Sequence, residues 1–132
     1  MARPTPIDPP ELPGNPAFAQ GMVLPAGPTL YVGGQNGVDD TGALVSMDVA
    51  EQSVRTMDNV STALAAAGAT LADVVQFTVL IAEDADLGAA YGAIAPRLAT
   101  GGAPALVTAA RVAGLGVPGA LIEVSAIAAI LP

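Results

Sequence analysis

The sequence predicts an α+β domain, a mixed β-sheet with two helices on one face. Three observations predict it. Two segments repeat apolar residues at helical spacing, and each follows an aspartate suited to cap it. The other apolar stretches are short, rich in Val, Ile and Leu, and bounded by Gly and Pro. Their order is strand, strand, helix, strand, helix, strand, strand, which suits helices laid on a sheet. At 132 residues the chain suits one domain.

Met1 to Pro16 holds six prolines and is expected to be an extended arm that does not pair regularly as strand or helix. Residues 17–132 form the domain. Gln20 to Leu24 is a short strand, Pro25 to Pro28 a turn, and Thr29 to Gly34 a strand returning antiparallel to the first. Asp39 and Asp40 lie in a polar loop whose spacing does not match a cation-binding loop, so no metal site is expected.

Asp48 caps a helix from Val49, with Val54, Met57, Val60, Leu64 and Ala67 on one stripe and Gly68 as terminator. Glu51 and Arg55 stand four apart in the favourable order. Val74 to Ala82 is almost wholly apolar and reads as a buried central strand. Asp86 caps a second helix with Leu87, Ala90, Tyr91, Ile94 and Leu98 inward. Pro96 is expected to kink or shorten it, and Thr100 to Gly102 ends it. Pro104 to Ala113 and Leu121 to Leu131 are the last strands, the latter carrying one charge, Glu123.

Composition excludes several classes of function. Net charge is −8 with only four arginines, so neither nucleic acid nor an anionic membrane is an expected partner. There is no Cys and no His. That removes thiolate nucleophiles, Ser-His triads, disulfides and thiolate or imidazole zinc sites. No cofactor is expected. No secretory leader or membrane-spanning run is read, so the expected compartment is the cytoplasm. Hydrophobic residues make up 52% of the chain, more than a small monomer needs. With no third helix for the second sheet face, other subunits are its expected cover.

Leu30 to Gln35 reads Leu-Tyr-Val-Gly-Gly-Gln. A strand that loses its side chains at Gly33 and Gly34 leaves room for something to approach its backbone. It could wall a small-molecule pocket. From spacing alone the plainer reading, a strand running into the Asn36-Gly37 turn, comes first.

The residues resemble the RidA (YjgF) family, known for enamine and imine deaminases. Phe18-Ala19-Gln20 stands where that family has Tyr-Ser-Gln, and Leu30 to Gln35 is similar to its "lyvSGQ" strand. Glu51-Gln52 and Asn59-Val60 match its first helix. Asp73-Val74-Val75, Pro104-Ala105 and Leu121 to Val124 match its later strands. The resemblance implies a chorismate-mutase-like fold and a homotrimer whose sheets line a central barrel. It also implies small-molecule pockets in the clefts between subunits. The implied chemistry is hydrolysis of enamines and imines such as 2-aminoacrylate to ketoacids and ammonia. A fourth-strand arginine binds the substrate carboxylate, and a last-strand glutamate positions water and protons.

Carried over by residue, Glu123 matches the glutamate, and Gly34 and Gln35 match. The arginine does not: its position holds Leu106, or Val107 if one residue is inserted. Gly33 replaces a serine, Phe18 a tyrosine, and Tyr91 an asparagine of the archetypal deaminases. Arg111 is the remaining cation near that strand. The expected site is therefore Glu123 as general acid or base, with Phe18, Gly33, Gly34, Gln35, Tyr91, Leu106, Val107 and Arg111 as substrate-contacting candidates. Without the arginine, 2-aminoacrylate deamination is expected to be weak and an uncharged ligand favoured. The alternative is a non-catalytic trimeric module that binds a small molecule or stabilises a partner. Ribonuclease action fits poorly with the charge and the absence of His.

Overall fold

The computed structural model describes residues 3–99 and 104–131. The elements are β1 (Thr5–Ile7), β2 (Gly21–Val23), β3 (Thr29–Gln35), α1 (Val49–Ala66), β4 (Val74–Ala82), α2 (Leu87–Leu98), β5 (Leu106–Val112) and β6 (Ile122–Ala129). A four-stranded sheet runs β3-β6-β4-β5. Its β4–β5 pair is parallel and the others antiparallel, so the sheet is mixed.

Both helices pack on one face. On that face β4 contributes Phe77, Val79 and Ile81, and β6 contributes Ile122, Val124, Ala126 and Ala128, all buried. They meet Met57, Val60 and Leu64 of α1 and Ala90 and Ile94 of α2. Period-two alternation sends their neighbours to the opposite face. There Gln76, Thr78 and Leu80 pair with Ile127, Ser125 and Glu123. No element of the described chain forms a layer over this second face, and Tyr31 on it is 74% exposed.

Asp48 accepts a hydrogen bond from the Glu51 amide, and Asp86 one from the Ala89 amide, as capping aspartates should. Gly68, in the left-handed region at φ 75°, follows the end of α1.

Several expectations are corrected. The arm does pair: Thr5–Ile7 is antiparallel to β2, with Pro6 within the short strand. A proline is tolerated there because a two-stranded ribbon is all edge. β2 and β3 do not form a hairpin with each other. β3 pairs instead with β6, where Val32 is buried opposite Ala126. On α1, Val54 is 47% exposed and Ala67 is exposed, while Gln52, Ser53 and Thr56 are buried. The hydroxyls are satisfied by carbonyls one turn back: Ser53 donates to Val49 and Thr56 to Gln52. Arg55 turns from Glu51 to donate to the Val38 carbonyl. On α2, Leu87 is exposed, and the helix runs through Pro96 to Leu98. The expected Thr100–Gly102 terminator lies outside the described residues.

The Asp39 loop is a self-satisfied turn. Its carboxylate accepts from the Thr41 hydroxyl, the Thr41 amide and the Ala43 amide. These bonds, the Thr41 hydroxyl foremost, hold its pKa below the ordinary aspartate value. A depressed folded-state value contributes stability above the unfolded-state pKa, lost as pH falls through the folded one. Asp39→Asn is therefore expected to flatten the acid end of the stability–pH curve and leave its shape at neutral pH unchanged. Urea unfolding at a series of acid pH values checks this.

Candidate functional site at the Gly34–Glu123 contact

The site starts from an irregularity in β3. Val32 pairs with Ala126 and Gln35 with Val124, so three steps on β3 span two on β6. Gly33 and Gly34 together face one residue, which is a β-bulge; such features re-aim side chains beside functional sites. The Gln35 side-chain amide (Nε2) donates back to the Gly33 carbonyl at 3.2 Å, bracing the bulge.

The Glu123 carboxyl lies on the Gly34 backbone. A Cβ built at Gly34 would stand 2.6 Å from both Cδ and Oε2 of Glu123 and 3.0 Å from Cγ. Only glycine leaves that space. A Cβ at Gly33 would meet nothing within 4 Å, so the bulge is open on that side. Glu123 itself is half-buried on the uncovered sheet face. Among the described residues its carboxyl has no hydrogen-bond or ion-pair partner, and the one salt bridge joins Arg97 to Asp58 on the helices. A carboxyl group held against an open backbone with free oxygens can take a proton from a small molecule as the carboxylate and return it as the acid.

The other expected residues do not all converge on it. Gln35, in the row of Val124, belongs to the helix side of the sheet. Leu106 pairs with Gln76 and shares the open face. Val107 pairs with Phe77 and packs against the core, and Tyr91 packs there too from α2. Arg111 pairs with Ile81, again the helix side, and donates to the Glu83 carbonyl at 2.9 Å. So Arg111 does not replace an open-face cation: register and the Glu83 carbonyl hold it away from Glu123. Leu106 and Glu123 share a face but sit four residues apart along β4, about 13 Å. Phe18 sits in the turn it forms with Asn15, half-buried. Beyond it, Met22 and the arm lie against Val74 and Val75, at the end of β4 far from Leu80. Within one chain, Glu123 meets Gly34 at the bulge that Gly33 opens, while Tyr91, Val107 and Arg111 lie on the helix side of the sheet and do not join them.

The comparisons with known proteins bear on this geometry. A family profile described as Endoribonuclease L-PSP matches residues 13–130, nearly the whole chain. The chain belongs to this family, the RidA (YjgF) family. A crystal structure of a Rid-family protein of unknown function, YyfB from Yersinia pestis, is 30% identical with a TM-score of 0.84. That match covers 98% of this chain and 100% of the other. RidA from an Antarctic Psychrobacter is 30% identical with a TM-score of 0.69, covering 81% of this chain and 85% of that one. A curated rat 2-iminobutanoate/2-iminopropanoate deaminase is 38% identical over 73 residues, 54% of this chain. The alignment spans about half, 52%, of that relative.

In this RidA-family chain, two residues missed by sequence reasoning frame the site. The Asn36 side chain donates to the Ile122 carbonyl at 2.9 Å, one residue before Glu123. The fully buried Gln52 donates to the Ser46 and Gly119 carbonyls and accepts from the Leu121 amide. The readable signal was a polar Gln52-Ser53…Thr56 set between apolar Val49 and Met57 on a helix that must bury a stripe. Among the described residues no acidic cluster suits a metal ion, and no helix is long and apolar enough to cross a membrane.

Proposed function

We propose that this RidA-family protein hydrolyses a reactive imine or enamine that lacks a carboxylate, with Glu123 as general acid/base. The observation that carries the reading is the Glu123 carboxyl lying unpaired against the Gly34 backbone. Water adds across the C=N bond, its oxygen bonding carbon while nitrogen takes a proton. The C–N bond then breaks to give a carbonyl compound and an amine. An enamine first tautomerises to its imine. Glu123 accepts the proton of the attacking water and returns it to the departing nitrogen. The deaminase relative supports this reaction class, and the absent arginine supports an uncharged substrate.

The pocket lies between copies. Glu123 and Leu106 share an open face yet stand too far apart to hold one small molecule, and Tyr91 packs on the helix side. A homotrimer would cover the open face, which carries Tyr31, Leu80 and Ile127, and bring Leu106 of one copy toward Glu123 of the next. A cytoplasmic enzyme needing no cofactor or metal fits this reading. The RNA cleavage in the family's description fits it poorly, since a −8 chain repels a phosphate backbone. The second reading, a non-catalytic trimeric binding module, rests on the loss of the arginine.

The register of β5 favours one of the two positions that could hold an arginine. Leu106 faces the open side, whereas Val107 packs on the core. Leu106→Arg is expected to raise kcat/KM for 2-aminoacrylate by roughly tenfold, the scale of one charge-assisted contact. Val107→Arg is expected to lower stability without that gain. Ketoacid release and urea unfolding of both variants check this; a gain from Val107→Arg alone would overturn the assignment.

A further inference from the structure

We infer that Asn36 and Gln52 are positioning residues that set the Glu123 carboxyl against Gly34. The inference deepens the proposed function and rests on Glu123 being the reacting group. After Gln35 pairs with Val124, β3 leaves the backbone ladder. At that point the side chain of Asn36, itself buried, takes over by donating to the Ile122 carbonyl. Asn36 thus ties the end of the glycine bulge to the residue before Glu123. Its own carbonyl accepts from Asn59 of α1 at 2.9 Å, so the tie is anchored in the helix.

Gln52 holds the same approach to Glu123 further back, in the turn that leads into β6. Its side-chain oxygen accepts from the Leu121 amide at 2.8 Å, two residues before Glu123. Its amide donates to the Gly119 carbonyl in the same turn and to Ser46 in the loop before α1. Gly119 sits in the left-handed region at φ 81°, where an L side chain is strained, so this turn has one shape. The Gly37 backbone lies directly on Gln52, with a Cβ there 2.6 Å from the Gln52 carbonyl oxygen. One helical residue therefore touches the chain after the bulge and the chain entering β6. A misplacement of about 1 Å at a reacting group can cost a hundredfold in rate. Two buried amides aimed at backbone groups of the chain entering β6, at Gly119, Leu121 and Ile122 just before Glu123, hold such a tolerance.

The test compares Asn36→Ala and Gln52→Glu with Ile94→Val, a core change in α2 away from the site. Gln52→Glu keeps the oxygen facing the Leu121 amide and loses both donated bonds. The first readout needs no turnover: the carbon-13 NMR signal of the Glu123 carboxyl, assigned with Glu123→Gln. It is expected to shift in Asn36→Ala and to stay in place in Ile94→Val. The second readout is hydrolysis of N-benzylidenemethylamine, a neutral imine, followed by benzaldehyde absorbance. Asn36→Ala is expected to lower kcat at least tenfold with KM changed less than twofold. If Gln52→Glu fails to fold, Asn36→Ala decides alone. An unmoved Glu123 signal in Asn36→Ala overturns the positioning role, as does a kcat loss no larger than that of Ile94→Val. A wild-type protein inactive on the imine would count against the proposed function, and the NMR comparison would still decide the positioning.

Discussion

Glu123→Gln is expected to lower hydrolysis of a neutral imine by roughly 10²–10⁴-fold, the usual share of a general acid/base, and to leave thermal stability near wild type. Gln keeps the length of the side chain and loses the proton transfer. Because the Glu123 carboxyl is half-buried without a partner in the described chain, removing its charge strands no other group. Gly34→Ala acts on the same atom by a different route. Its Cβ would overlap Cδ and Oε2 at 2.6 Å, and these are the far end of a flexible side chain. The chain yields by swinging the carboxyl away, which costs little stability and roughly a hundredfold in rate. Gly33→Ala, with open space around its Cβ, leaves the Glu123 carboxyl where it is and is expected to lose clearly less activity than Gly34→Ala. Steady-state kinetics and thermal melts on all three variants check the pattern. Equal losses from Gly33→Ala and Gly34→Ala would show that the bulge tolerates no side chain for reasons unrelated to Glu123.

Gly37→Ala gives the opposite signature, a loss of stability. The added Cβ would stand 2.6 Å from the Gln52 carbonyl oxygen, 2.7 Å from its Cα and 2.9 Å from its Cβ. These atoms belong to the body of α1, which the core holds through Met57, Val60 and Leu64. Little can move aside. Over-packing of this kind costs about 1–3 kcal/mol, a fall in Tm of roughly 5–15 °C for a domain of this size. Gly116→Ala, where a Cβ meets nothing within 4 Å, is expected to be neutral. A Gly37→Ala protein that melts with the Gly116→Ala control would mean that the loop after β3 does not rest on α1.

Both signatures come from glycines, and the sequence made only one of them readable. Gly33-Gly34 at the end of a strand left a close approach open beside the plainer turn reading, and Gly34 has one, made by Glu123 itself. Asn36-Gly37 read as an ordinary turn, because nothing local shows that a helix backbone 15 residues later lies against Gly37. The central strand was legible because it is buried on one face and half-buried on the other, so its apolar run matched Val74–Ala82 end to end. Both helix starts were legible because capping is a local event. The pairing of β2 was not: partner choice is decided by distant chain, and β6 offered β3 a buried apolar match that β2 could not. Half of the α1 stripe was missed because Gln52, Ser53 and Thr56 are buried to satisfy backbone groups, which apolar periodicity cannot reveal. The facing of Leu106, Val107 and Arg111 awaited the register of β5 on β4, since a one-residue slip exchanges the two sides of a strand.

The proposed function stands on a pocket that pairs Glu123 with an apolar wall where a carboxylate-binding arginine would be. The most direct measurement compares two substrates on the wild-type protein: 2-aminoacrylate generated in the assay, and the neutral imine N-benzylidenemethylamine. The expected result is hydrolysis of the neutral imine well above the buffer rate, with 2-aminoacrylate decaying only slightly faster than in buffer. Rapid turnover of 2-aminoacrylate, matching an arginine-containing relative, with no effect on the neutral imine would contradict it.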